Sequence, residues 1–175
     1  DPIGSTQNTV AAIDIFQEYA DQAQDNFEEA AALLALGYAH ENQFVLLVNN
    51  QSAANSAFNA AMSYYDQIME MDGIGFLRYE AMLAKARLLA NDGVEENDGE
   101  AIELYKTVLR DRGDFPEPPG PNARMAERIM FQVKRMAQQF STANTARINL
   151  RRMGVDTEEL LEEIREEKEA EAAAQ

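Results

Sequence analysis

The chain has 175 residues, enough for a domain with its own core, and a formal net charge of −16. So acidic a surface repels nucleic acid and argues against that class of partner. The chain has no Cys, which rules out disulfide stapling, thiolate catalysis and Cys-ligated zinc, and no apolar run approaches the ~20 residues of a membrane span.

Alanine is abundant, β-branched residues are few, and only 9 Gly and 5 Pro interrupt the chain, so helices are expected throughout. Thr6 to Asn42 reads as helix, with a break near Asp25-Asn26. Val10, Ile13, Phe16 or Ala20, and then Phe27, Ala31 and Leu34, recur at helical spacing and are expected to face a core. Phe44 to Val48 reads either as a helix end or as a buried connector. Ser52 to Met71 is a helix with Ala54, Ala57, Phe58, Ala61, Tyr65, Ile68 and Met69 on one side, closed by Asp72-Gly73-Ile74-Gly75. Phe76 to Ala90 follows, stopped by Asn91-Asp92-Gly93, and an acidic loop leads to Asp98, expected as the N-cap of a helix ending near Arg112-Gly113.

The run from Phe115 to Pro121 breaks the helical pattern, because proline lacks a backbone donor and restricts the residue before it. A helix is expected from Asn122 to Phe140, with Met125, Ile129, Val133, Met136 and Phe140 as its apolar stripe. A shorter one spans Thr142 to Arg152 and ends at Gly154. Asp156 or Thr157 caps a last helix whose apolar residues are Leu160, Leu161 and Ile164, with a frayed, solvated tail beyond Arg165. Residues 156–175 are thus set apart as an acidic C-terminal helix or tail, and 1–155 as one helical domain.

Charge is unevenly placed. The first Lys or Arg in the chain is Arg78, whereas the segment from Pro121 to Arg152 carries seven basic residues against the single acid Glu127. Two readings stay open: the ends neutralise each other within the fold, or the chain has a directional docking surface or assembles head to tail as a homo-oligomer. The chain begins Asp1-Pro2-Ile3-Gly4 without Met, so we expect that a preceding signal peptide or anchor helix has been removed.

Motifs for chemistry are sparse. His40 is the sole histidine; a di-iron bundle needs Glu-x-x-His twice and a zincin two histidines on one helix. No Ser lies in a Gly-x-Ser-x-Gly turn, and no P-loop or Gly-x-Gly-x-x-Gly is present. The paired glutamates read as solvated faces. Asn91 to Gly99 offers oxygen ligands without the EF-hand spacing. The expectation is a protein that is not an enzyme and has no cofactor, metal or catalytic residue.

A repeat is visible. Ala61-x3-Tyr65-x2-Ile68-Met69 matches Ala101-x3-Tyr105-x2-Val108-Leu109, and Ala32-Leu33-Leu34-Ala35-x-Gly37 matches Ala81-Met82-Leu83-Ala84-x-Ala86. Small residues at fixed positions let helices approach closely, and the tyrosine with its aliphatic neighbours fills the space between hairpins. On these segments the chain resembles the tetratricopeptide repeat (TPR) family, in particular the TPR-like domains of bacterial membrane-anchored, periplasm-facing proteins. The resemblance implies an all-α fold of antiparallel helix hairpins stacked as a short TPR-like α-solenoid; an alanine-rich helical bundle is the alternative.

The resemblance further implies a protein–protein interaction scaffold that binds a partner protein or helix on a concave face, periplasmic or otherwise extracytoplasmic and near a membrane. A cytoplasmic location is the alternative. Tyr38, Asn42, Arg78, Lys85, Arg124 and Arg128 are the groove-lining residues it suggests. The rival function is a fixed structural subunit of a large membrane complex.

Overall fold

A computed structural model describes residues 2–112 and 141–174. Among the described residues the protein is all-helical and contains no strand. The chain divides into two compact units, Asp1–Ala101 and Ile102–Gln175. The expected Asn122–Phe140 helix, the proline-rich breaker, Arg124 and Arg128 lie outside the described residues.

The first unit holds α1 (Pro2–Gln22), α2 (Asn26–Leu46), α3 (Gln51–Glu70) and α4 (Leu77–Ala90). The break between α1 and α2 has a local cause. Asp25 is extended, and its carboxylate accepts the Glu28 backbone N–H at 2.8 Å, an N-cap worth about 1 kcal/mol. Asn50 caps α3 in the same way through the Ala53 N–H. Between α3 and α4 the chain turns through Gly73 and Gly75, both at positive φ (76° and 58°), a conformation that side chains with a Cβ resist. The Phe44–Val48 segment is a helix end: α2 runs to Leu46 and a turn follows, with Val45 and Val48 exposed.

Within α1–α4, successive helices run antiparallel. Asn26 near the start of α2 bonds the Asp72 carbonyl after α3, while Phe44 near the end of α2 packs edge-on against Phe58 near the start of α3. α4 returns parallel to α2: Phe27 meets Phe76 at one end and Glu41 meets Arg87 at the other. Leu36, Ala61, Tyr65, Ile68, Ile74, Ala81 and Ala84 are fully or almost fully buried in this unit. Burying an isoleucine the size of Ile68 or Ile74 contributes about 1.5–3 kcal/mol. Ile13, Phe16 and Ala20 of α1 pack half-buried against this core. Val10, Phe27 and Ala31, expected as core, are instead exposed. α1 packs chiefly on α2, and the α2 face bearing Phe27 and Ala31 turns toward solvent.

α5 (Asp98–Arg112) begins in the first unit and continues into the second. Its expected N-cap moves. Asp98 is already helical, and a 3-10 turn over Glu95–Asn97 precedes it. In the matched segments of α3 and α5, Ala61, Tyr65 and Ile68 are buried, as are Ala101, Tyr105 and Val108, whereas Leu109 is fully buried and Met69 only half-buried.

In the second unit, α6 (Thr142–Arg152) is capped by Ser141 and ends in a Schellman motif. Gly154 sits at φ 81°, its N–H reaches the Arg151 carbonyl, and the Val155 N–H reaches Leu150. Asp156 caps α7 (Thr157–Ala173) through the Glu158 and Glu159 N–H groups. The segment beyond Arg165, expected to fray, has helical geometry. The solvated run stays helical to Ala173, with Arg110 pairing Glu167 at 3.2 Å.

Candidate functional site

Three side-chain arrangements distinguish the first unit. The innermost joins α2, α3 and α4. The fully buried Tyr65 hydroxyl donates to Glu41 Oε2 at 3.0 Å. Arg87 clasps the same carboxylate with two bonds, Nε to Oε1 at 2.9 Å and Nη2 to Oε2 at 2.7 Å. Its guanidinium also lies 5.5 Å from the Tyr38 ring centre, and Tyr38 meets Tyr65 edge-on at 6.2 Å. Burial, then the Glu41 charge and hydrogen bond, pushes the Tyr65 phenol above its ordinary range. Burial likewise raises Tyr38. The hydrogen bonds to Glu41 outweigh desolvation and hold Arg87 firmly protonated. Both Glu41 oxygens are thereby occupied, and the cluster fastens three helices.

The second arrangement is an ion triad. Lys85 is buried on α4 and reaches Asp66 of α3 at 2.8 Å and Glu100 of α5 at 2.7 Å, all within the first unit. Burial alone would lower its pKa, but the two carboxylates reverse this and raise it.

The third is an open groove between α1 and α2. One cleft of about 440 Å³ is lined by Phe16, Tyr19, Ala31 and Ala35 among others. A second of about 340 Å³ adds Ala12, Tyr38, Ala39 and Asn42. The two share Phe16 and Ala35, so they form one groove. Ala31, Ala35 and Ala39 recur every four residues and give it a floor without bulk, whereas Tyr19, at 69% exposure, stands on its rim. On the α3-facing side of α2, His40 stacks on Tyr64 at 5.6 Å and bonds Gln43. Burial lowers its pKa from the ordinary 6.5.

Of the residues the sequence suggested, Tyr38 and Asn42 share this groove. Lys85 belongs to the buried triad instead. Arg78 is spent on the α3–α4 turn, donating to the Met71 carbonyl at 2.6 Å beside Asp72. Phe16, Tyr19, Ala31 and Ala35 were not singled out as a surface. The signal available was the four-residue recurrence of alanine along α2, which reads equally well as core.

In the acidic 91–99 loop, Asp92 accepts bonds from the Val94 N–H and the Asn97 amide, so it serves the loop's own shape. Among the described residues no group of three His, Cys, Asp or Glu side chains is placed to hold a metal ion, and no helix is long and apolar enough to cross a membrane. No protein-family model, no curated protein and no solved structure matches this chain.

Proposed function

We propose that the protein is a non-catalytic, TPR-like interaction scaffold that holds a partner protein or helix in the α1–α2 groove. The observation that supports this reading is the groove itself: small residues on the floor, aromatic rings on the walls, amides at the ends and open access from solvent. The Glu41–Arg87–Tyr65 cluster supports it as well, since it fixes α2, which carries the groove's floor, against α3 and α4. An extracytoplasmic place near a membrane is part of the proposal and rests on the family resemblance alone.

A second reading, a fixed subunit of a large complex, is favoured by one observation. Val45, Leu46 and Val48 expose apolar surface together at the α2–α3 turn, the kind of patch a permanent neighbour covers. Photo-crosslinking separates the two. A photoreactive residue in place of Tyr19 on the groove's rim and another at Val48 are introduced in native cells, and partners are read from membrane and soluble fractions. Several substoichiometric partners captured from position 19 support the scaffold. One stoichiometric set captured from position 48, with nothing from position 19, replaces it with the fixed subunit.

A further inference from the structure

We infer that the occupant of the α1–α2 groove is a cationic amphipathic helix of a partner protein, an inference that builds on the scaffold reading above. Length, shape and charge all bear on it. On α1 the groove runs from Asn8 to Gln22, ~21 Å at the helical rise of about 1.5 Å per residue, which is about four turns of a bound helix. The alanine floor carries nothing beyond Cβ, so a helix backbone can approach closely, while Phe16, Tyr19 and Tyr38 flank it with apolar surface.

Charge then selects among apolar helices. α1, α2 and the turn between them expose Asp14, Glu18, Asp21, Asp25, Glu28 and Glu29, and this stretch contains no Lys or Arg. Glu41 is the remaining acid there, and Arg87 matches it. Arg87 is also the cation at the Tyr38 edge, and Glu41 already engages it through two hydrogen bonds. The field over the groove is therefore negative. It repels an acidic helix and attracts one whose aliphatic stripe is bordered by Lys and Arg.

The test uses defined peptides and fluorescence anisotropy on the full chain. Three labelled helices of about 15 residues are compared: a Leu/Ala stripe bordered by lysines, the same stripe bordered by glutamates, and the lysine peptide scrambled to destroy the stripe. The lysine-bordered helix should bind at least about tenfold more tightly than either other peptide. Ala35→Phe, which fills the floor, and the pair Glu18→Lys with Glu28→Lys should each weaken it by about tenfold or more. Circular dichroism confirms that the variants keep their helix content; if Ala35→Phe unfolds the chain, the charge-reversal pair decides. Equal binding of the scrambled or glutamate peptide, or indifference to both variants, overturns the inference. So does light scattering that shows a self-associated chain rendered monomeric by Ala35→Phe, which gives the groove to a second copy. If the peptides fail while crosslinking from position 19 still captures partners, this inference falls and the scaffold stands. If both fail, the scaffold reading falls too.

Discussion

The ring of Tyr65 occupies the space that a side chain at residue 37 would need: a Cβ on Gly37 would lie 2.4 Å from Tyr65 Cε1 and 2.9 Å from Cζ. The ring cannot yield. It is fully buried, edge-on to Tyr38, and tethered by its hydroxyl to Glu41. Glycine at 37 thus sets how closely α2 and α3 approach.

Gly37→Ala should therefore destabilise, although alanine is the better helix former by about 1 kcal/mol. Overpacking of this kind costs about 1–3 kcal/mol or more, so the midpoint in a urea melt should fall. Tyr65→Leu made in the Gly37→Ala background should cost less than in the native one, because it relieves the clash. A Gly37→Ala protein at least as stable as the native one would refute the close-approach account.

Glu41→Ala should be among the more damaging single changes in the first unit. It leaves the buried Tyr65 hydroxyl without its acceptor and Arg87 without its carboxylate, a loss of about 2–3 kcal/mol. Tyr65→Phe should cost about 1 kcal/mol in the native background and almost nothing once Glu41 is gone. A double-mutant cycle by chemical denaturation measures that coupling. Strict additivity would mean that α2 and α3 are not fastened through the Tyr65–Glu41 bond.

At alkaline pH the sign is shared by several groups. Tyr65 and Lys85 both have folded pKa values above their ordinary 10.0 and 10.5, so the folded state holds protons that the unfolded chain releases. Their contribution is complete below about pH 10 and is lost as pH rises through the raised folded values. Stability measured from about pH 9 to 12, bounds about one to two units from the ordinary values, should fall, and Lys85→Met should flatten the fall. A Lys85→Met profile parallel to the native one would detach the triad from stability.

Acid acts through His40 in the opposite sense. Its folded pKa lies below the ordinary 6.5 because burial disfavours the imidazolium, so the unfolded chain binds the proton first. Stability is present above about pH 6.5 and declines as pH drops below it toward the lowered folded value. His40→Gln should remove that part of the decline while leaving the alkaline limb unchanged. Thermal melts between about pH 7 and 5 read the difference, and identical acid limbs would rule His40 out as the cause.

The pattern of small residue, tyrosine and aliphatic side chain was legible in the sequence because spacing within one helix sets it. Its small residue, tyrosine and first aliphatic residue are buried in both α3 and α5. The break near Asp25-Asn26 and a cap at Asp156 or Thr157 were legible for the same reason, since the bonds that make them act within a few residues. Lys85 and Arg87 were not. Both sit in an alanine-rich run and resemble solvated charges, and their fate is set by Asp66, Glu100 and Glu41 on other helices. The groove was hidden for a related reason. Periodicity places Phe27 and Ala31 on one face of α2 but does not say whether a neighbour covers that face.

Lys85 is the first lysine of the chain, and it lies buried between two carboxylates. Through α1, α2 and α3 there is accordingly no side-chain amine at all. Amine-directed labels and crosslinkers pass over those helices and the groove, so a partner seated there leaves no lysine linkage to report it. Trypsin finds its first site only at Arg78, which delivers the three helices as a single long fragment. Reagents that couple to carboxylates behave in the reverse way, because the exposed acids of α1 and α2 crowd the very surface the others miss.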